Sequence, residues 1–320
     1  MKFILLYIFL FIIIIFILLN YFLKNNNVEK FNNNNNNNKD KTVIFYCYFE
    51  NEETKKNLSF FIKNGLINNN NYKYIFIINN KLVTVEIPNY NNIDLIIRDE
   101  NNIDLYTYKK IINNLLEKNK NYFDDYKYFY FINSSCIGPF IPPIIEENYI
   151  SIINKKIDKY DLIGPIIEFP NDNLGYSLLN INKNKNIPFL HTYMFAVNKT
   201  GFLLLINLFK DLTNDKKDNL DMERKISSYF LLNNYKIYTL LSRFKNVDIN
   251  NEDNWNYNKW NINNSPSCYE VPGNYFNMDI DPYEIIFVKN IRNPHNFRSL
   301  KHSSISDDLK LKIKNYSEWM

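Results

Sequence analysis

The sequence predicts an α/β domain built on a mainly parallel sheet flanked by helices. Three observations lead there. Residues 128–133, Tyr-Phe-Tyr-Phe-Ile-Asn, form an aromatic and apolar run that stops abruptly at Ser134-Ser135, with Gly138-Pro139 just beyond. A short run of this kind between turn formers reads as a strand buried on both faces, which belongs to a parallel sheet covered by helices. Similar runs alternate with stretches of helical periodicity, the pattern of right-handed crossovers between parallel strands. The chain has 320 residues, 46% of them apolar, ample for a core of that size.

The elements are expected in this order. Residues 42–49 read as the first buried strand, and 58–66 as a helix stopped at Gly65. Residues 74–78 and 94–98 read as strands, with a further short strand at 82–87 closed by Pro88. Asp104 is placed as an N-cap, because Leu105, Tyr108, Ile112, Leu115 and Leu116 recur behind it at helical spacing. After the strand at 128–133 come a helix at 150–157, a short strand and turn at 160–165, and a strand at 190–197. An apolar helix from about 202 and a helix at 221–232 follow, then a long loop at 250–274 and a late strand at 284–289. The tail from 302 is charged and ends as a helix.

The amino terminus is of another kind. Residues 3–23 are almost continuously apolar, about the length needed to span a bilayer, and no small-residue cleavage site follows. The expectation is an uncleaved signal anchor over 1–24. The Asn-rich tract of 25–41 then serves as a flexible stem, and 42–320 forms the globular domain. That is the layout of a single-pass type II membrane protein. Lys2 on one side and Lys24 and Lys30 on the other leave the orientation open on charge alone.

Composition excludes several classes. A net charge of +4 without a dense basic block does not suggest nucleic acid. Three cysteines, Cys47, Cys136 and Cys268, with no Cys-x-x-Cys, make neither a disulfide framework nor a zinc site. There is no Gly-rich phosphate loop, no His-Glu-x-x-His and no Gly-x-Ser-x-Gly. Polar residues gather instead at predicted strand ends: Arg98, Asp99, Asp104, Asn133, Ser134, His191, Glu223 and Asp281. Ligands of open parallel sheets bind beyond the carboxyl ends of the strands, so these are the candidate site residues. Asn-x-Ser/Thr sequons occur at Asn57, Asn133, Asn198, Asn263 and Asn315. Sugar on Asn57 or Asn263 would mark a luminal domain.

Five segments carry a resemblance: Phe131-Ile-Asn-Ser-Ser-Cys-Ile-Gly-Pro-Phe140; Arg98, Glu100 and Asn101 with Asp104 behind them; His191-Thr-Tyr-Met-Phe195; Glu223 with Ser227; and Pro-Tyr-Glu-Ile-Ile-Phe-Val-Lys at 282–289. In order and spacing, from about 42 to 292, they resemble the glycosyltransferase-like proteins related to bacterial rhamnan synthesis protein F, within the GT-A nucleotide-sugar transferase superfamily. The His191 segment matches without the Gln of the family pattern.

The resemblance implies a GT-A-like fold for 42–320, which the apolar run at 3–23 places behind one transmembrane helix. It implies a membrane-anchored transferase moving a sugar from a nucleotide-diphosphate donor to a glycan or glycoprotein acceptor, with its domain in the lumen of the Golgi or endoplasmic reticulum. Tyr46, Arg98, Asp104, Asn133 and Ser134 would then bind the donor. Glu223 and His191 would be catalytic, Glu223 as the base of an inverting mechanism. Many such enzymes hold Mn²⁺ or Mg²⁺ on an Asp-x-Asp at the end of a central strand. Here that position reads Asn133-Ser134-Ser135, whose neutral oxygens weaken the case for a metal or move its ligand elsewhere. Asp281, in Asp279-Ile280-Asp281, is the candidate ligand because some enzymes of this superfamily use a carboxyl-terminal residue as an extra one. Each residue has a plainer role open to it: Asp104 as a cap, Arg98 in a surface ion pair, Tyr46 and His191 in the core, Asp281 in a turn. Two other readings remain open, a non-catalytic transferase fold that binds a glycan or protein partner and an anchored scaffold facing the cytosol.

Overall fold

The computed structural model describes residues 40–100, 103–170, 186–256 and 280–290, together with 179, 311 and 315. The expected anchor, most of the stem, the end of the loop at 250–274 and most of the charged tail lie outside the described residues. Among the described residues no helix is long and apolar enough to cross a membrane.

A seven-stranded sheet forms the centre. In chain order its strands are β1 (Lys41–Tyr48), β2 (Tyr72–Ile78), β3 (Ile93–Ile97), β4 (Tyr126–Asn133), β6 (Leu162–Gly164), β9 (Met194–Asn198) and β10 (Ile237–Thr239). In space they run β10-β6-β9-β4-β1-β2-β3. β9 pairs antiparallel with both β4 and β6, and every other pairing in the sheet is parallel. Two small ribbons accompany it. β5 (Cys136–Ile137) pairs with β11 (Val288–Lys289), and β7 (Ile167–Glu168) with β8 (Phe189–Leu190), both antiparallel.

Helices cover both faces, as the apolar strands require. The helices are α1 (Glu52–Asn64), α2 (Asp104–Lys118), α3 (Tyr149–Ile157), α4 (Lys199–Leu208), α5 (Lys216–Leu232) and the single turn α6 (Pro282–Ile285). Alternate residues of β1 and β4 point to opposite faces. Tyr46 and Tyr130 meet Phe61 of α1 and Tyr149 of α3, whereas Phe45, Phe129 and Phe131 meet Tyr108 of α2 and Phe202 of α4. Phe129 and Phe202 stack with ring centroids 3.7 Å apart.

Local chemistry explains where the elements depart from expectation. The strand expected at 82–87 is irregular. Asn80 and Lys81 adopt positive φ, and the Thr84 N–H donates to the Glu50 carboxylate instead of to a neighbouring strand. The strand expected at 190–197 is interrupted at His191: its N–H donates to Ile166 O, and the Thr192 N–H to Glu223 Oε1, so two ladder positions are captured elsewhere. α5 begins earlier than its apolar face suggests, at Lys216, because Asp215 caps it by accepting from Lys217 N and Asp218 N. The late strand is mostly a turn. Asp281 caps α6, Pro282 occupies its first position, and Ile286 at φ 65° ends it.

Gly65 ends the α1 region with φ −111°, so it is not needed for left-handed backbone. It is needed for space, since a Cβ there would stand 2.7 Å from Pro139 Cδ. Asn57 also differs from expectation. It is 0% exposed, and its Nδ2 donates to Ser134 O and to Asn290 Oδ1, both at 2.8 Å. A glycan on that nitrogen is incompatible with these bonds. Peptide mapping of folded protein from a glycosylating host is expected to find Asn57 unmodified; an occupied Asn57 would contradict this packing.

Candidate functional site

The chain runs outward from β1 to β2 and β3, then returns to lay β4 on the other side of β1. The direction of winding reverses between β1 and β4. In open α/β sheets, the crevice beyond the carboxyl ends of the strands at such a reversal is where ligands bind. Cys47 on β1 and Asn133 on β4 are register partners at that end.

Asp104 opens α2 directly above them. Ile103, not Asp104, takes the cap position, and it contributes no side-chain bond. The helix start is secured from a distance: Ile103 N donates to Asn214 Oδ1, and Tyr106 N to Asn219 Oδ1 of α5. The Asp104 carboxylate is thereby released from capping, and Asn133 Nδ2 donates to its Oδ2 at 2.7 Å. Burial raises the Asp104 carboxyl above its ordinary value, and the Glu223 charge adds to this; hydrogen bonds from Cys47 and Asn133 and the charge of Lys289 oppose it. Burial and the neighbouring Asp104 also push the Cys47 thiol well up, so it stands as a neutral donor. A carboxylate whose pKa is raised by burial at the end of a central strand marks a functional-site candidate.

The rest of the rim is tied to the end of β4. Ser134 N donates to Cys47 O, its Oγ accepts from Phe49 N, and Asn133 N donates to Tyr193 O. The turn at 191–193 therefore borders the crevice. Thr192 N donates to Glu223 Oε1 at 2.9 Å, and His191 Nε2 meets Glu168 Oε2 at 3.1 Å. His191 lies on this turn and not inside a strand, and Glu223 lies about two turns into α5 and not at its start. Lys289 reaches the same rim, with Nζ 5.9 Å from the Tyr193 ring centroid.

Hydrogen bonds thus tie Asp104, Asn133, Ser134 and Glu223 to the end of β4 and the adjoining 191–193 turn, on which His191 meets Glu168. Four candidates stand apart from these hydrogen bonds, among them Asp99, which pairs with Lys81. Tyr46 is buried between Phe61 and Phe76, the packing role. Arg98 sits at the outer end of β3, paired with Glu100, which also takes Lys110, while Arg98 Nη1 is buried without a hydrogen-bond partner among the described residues. Asp281 caps α6 through Tyr283 N at 2.9 Å. Sequence reasoning gave no site role to Cys47, Glu168 or Lys289. Lys289 ended a motif and could have been weighed; Cys47 and Glu168 carried no signal of their own.

A divalent cation at the end of β4 would need several hard oxygens. Asn133 turns its nitrogen to Asp104, and its Oδ1 is engaged by Ser135 N at 3.0 Å and Ser135 Oγ at 2.5 Å. Among the described residues no three His, Cys, Asp or Glu side chains converge. The described residues do not fit a resident divalent cation at this place. A separate groove of ≈ 780 Å³ runs beside α3, lined by Lys155, Lys156, Lys159, Tyr160, Tyr238 and Lys245 among others; Asp104, Asn133 and Lys289 do not line it.

No protein-family model matches the chain, and no curated protein matches it. Among solved structures it is similar to a glycosyltransferase involved in the glycosylation of the major capsid of PBCV-1. The TM-score is 0.34 and the identity 13%, over 63% of this chain and 83% of that one. At that score the likeness decides nothing about this chain's activity.

Proposed function

We propose that the chain is a glycosyltransferase that moves a sugar from a nucleotide-diphosphate donor to a hydroxyl of a glycan or protein acceptor. The observation that carries this is the convergence of Asp104, Asn133, Ser134 and Glu223, residues of three separate transferase-like motifs, on the crevice at the β1–β4 reversal. In this reading the donor lies across the ends of β1 and β4, with a donor hydroxyl on Asp104. Glu223 Oε1 is occupied by Thr192 N, while Oε2 has no hydrogen-bond partner among the described residues and serves as the base. The acceptor oxygen bonds to the anomeric carbon and gives its proton to Glu223. The bond from that carbon to the phosphate oxygen breaks, and its electron pair leaves with the nucleoside diphosphate. Anchoring through 3–23 and a luminal domain in the Golgi or endoplasmic reticulum belong to the same proposal.

The departure from Asp-x-Asp at Asn133-Ser134-Ser135 favours one second reading, a transferase fold that binds a glycan without turning over a donor. A screen of nucleotide sugars with the purified full chain, reading release of nucleoside diphosphate, separates the two. Turnover of at least one donor is expected. Failure of every donor to bind or turn over would sink the transferase reading.

A further inference from the structure

We propose that Lys289 receives the charge of the departing diphosphate, so that sugar transfer at this crevice proceeds without a divalent metal. The inference rests on the transferase reading and specifies how its leaving group is stabilised. Breaking the anomeric bond places a growing negative charge on the phosphate oxygen, which a cation or preorganised hydrogen-bond donors must meet. Among the described residues no three ligating side chains converge at the end of β4, and Asn133 spends both ends of its amide on Asp104 and Ser135.

The fold brings a lysine to this end of the sheet instead. β11 pairs antiparallel with β5, and Lys289 stands opposite Cys136, three residues beyond Asn133. Val288 is buried in the core, so strand alternation turns Lys289 the other way. The pairing is held in several places. Asn290 N donates to Ser135 O at 3.1 Å, the Asn57 and Asn290 side-chain amides donate hydrogen bonds to each other, and Tyr193 Oη donates to Phe287 O at 3.2 Å. Among the described residues Lys289 makes no ion pair; its recorded contact is the Tyr193 ring. Its positive charge works to lower the Asp104 carboxyl pKa, against the burial that raises it. A lysine ammonium is a compact point charge well suited to phosphate oxygens. A strand-end lysine that merely faces solvent would need none of this bracing.

The test uses the full chain. Wild type should bind UDP or GDP in excess EDTA, and donor turnover should be the same in EDTA as in Mn²⁺ or Mg²⁺. Lys289→Met should lower kcat about 100-fold or more and weaken nucleoside diphosphate binding at least several-fold. Lys289→Arg should restore a large part of both. Thermal unfolding should show Lys289→Met as stable as wild type. An active wild type that EDTA silences, or a Lys289→Met variant with wild-type kcat, overturns the inference and leaves the transferase reading standing. A wild type that neither binds a nucleoside diphosphate nor turns over any donor removes both.

Discussion

Asp104→Asn is expected to lower sugar transfer by about 100-fold or more while making the protein more heat-resistant near neutral pH. Both effects come from the same environment. The substitution keeps the shape of the side chain, and an amide oxygen can still accept from Asn133 Nδ2, now at 2.7 Å from Oδ2. What it removes is the charge. Burial raises the Asp104 carboxyl above its ordinary value, with Glu223 adding to the effect. A group whose pKa is raised by folding contributes stability in full below its unfolded value, near 3.9 for Asp. That contribution is lost as pH rises through the folded value. At neutral pH the ionised carboxylate is therefore a cost to the fold, one the amide does not carry. Wild type and variant should melt alike in acid, and the variant should gain as pH rises. Activity should show the reverse. kcat/KM of wild type should climb with pH over an acid limb set by Asp104, and the variant should lack that limb. A variant with full turnover would remove Asp104 from the site; one that melts below wild type at neutral pH would contradict the burial of its charge.

Such a residue is worth retaining at a stability cost only where it works, and the sequence hinted at it for a limited reason. Asp104 stood out because an apolar helical period begins behind it. The same signal suggested a cap, and the structure assigns capping elsewhere, because Asn214 and Asn219 serve the helix start across the fold. Residues 128–133 could be read as a buried strand because apolarity on both faces is a local property. The sheet order, and with it the reversal between β1 and β4, is not local; alternation of strands and helices allowed it without stating it. His191 was misread for the same reason. Its apolar neighbours look like one strand, yet Glu223, distant in sequence, takes the Thr192 N–H and bends the chain out of the ladder. Lys289 closed an apolar run, and only the pairing of β11 with β5 carries it to the end of β4. Periodicity reports which side of a segment is buried. It does not report which remote segment lies against it, and a site assembled from five segments depends on that.

Gly138→Ala is expected to destabilise the protein by about 3 kcal/mol and to disable the site together with the fold. Gly138 adopts φ +154°, a conformation that side-chain-bearing residues rarely take. An added Cβ would also stand 2.6 Å from Ile286 O and 2.7 Å from Phe287 Cδ1. The carbonyl cannot step aside cheaply, because it accepts from Phe140 N at 2.7 Å and belongs to the turn that ends α6. Relief requires the β4–β5 exit and the β11 approach to separate, and that is the junction holding Lys289 opposite Cys136. For a domain of this size the loss corresponds to roughly a 5–10 °C fall in Tm. Gly65→Ala makes the comparison informative. Its Cβ would meet Pro139 Cδ at 2.7 Å and the Phe61 ring at 2.9 Å, but its backbone is ordinary and its neighbours are side-chain atoms. It should cost less stability and spare more turnover. If Gly138→Ala melts within about 2 °C of wild type and keeps its turnover, the close approach of the two segments does not position Lys289, and the metal-independent mechanism loses its structural footing.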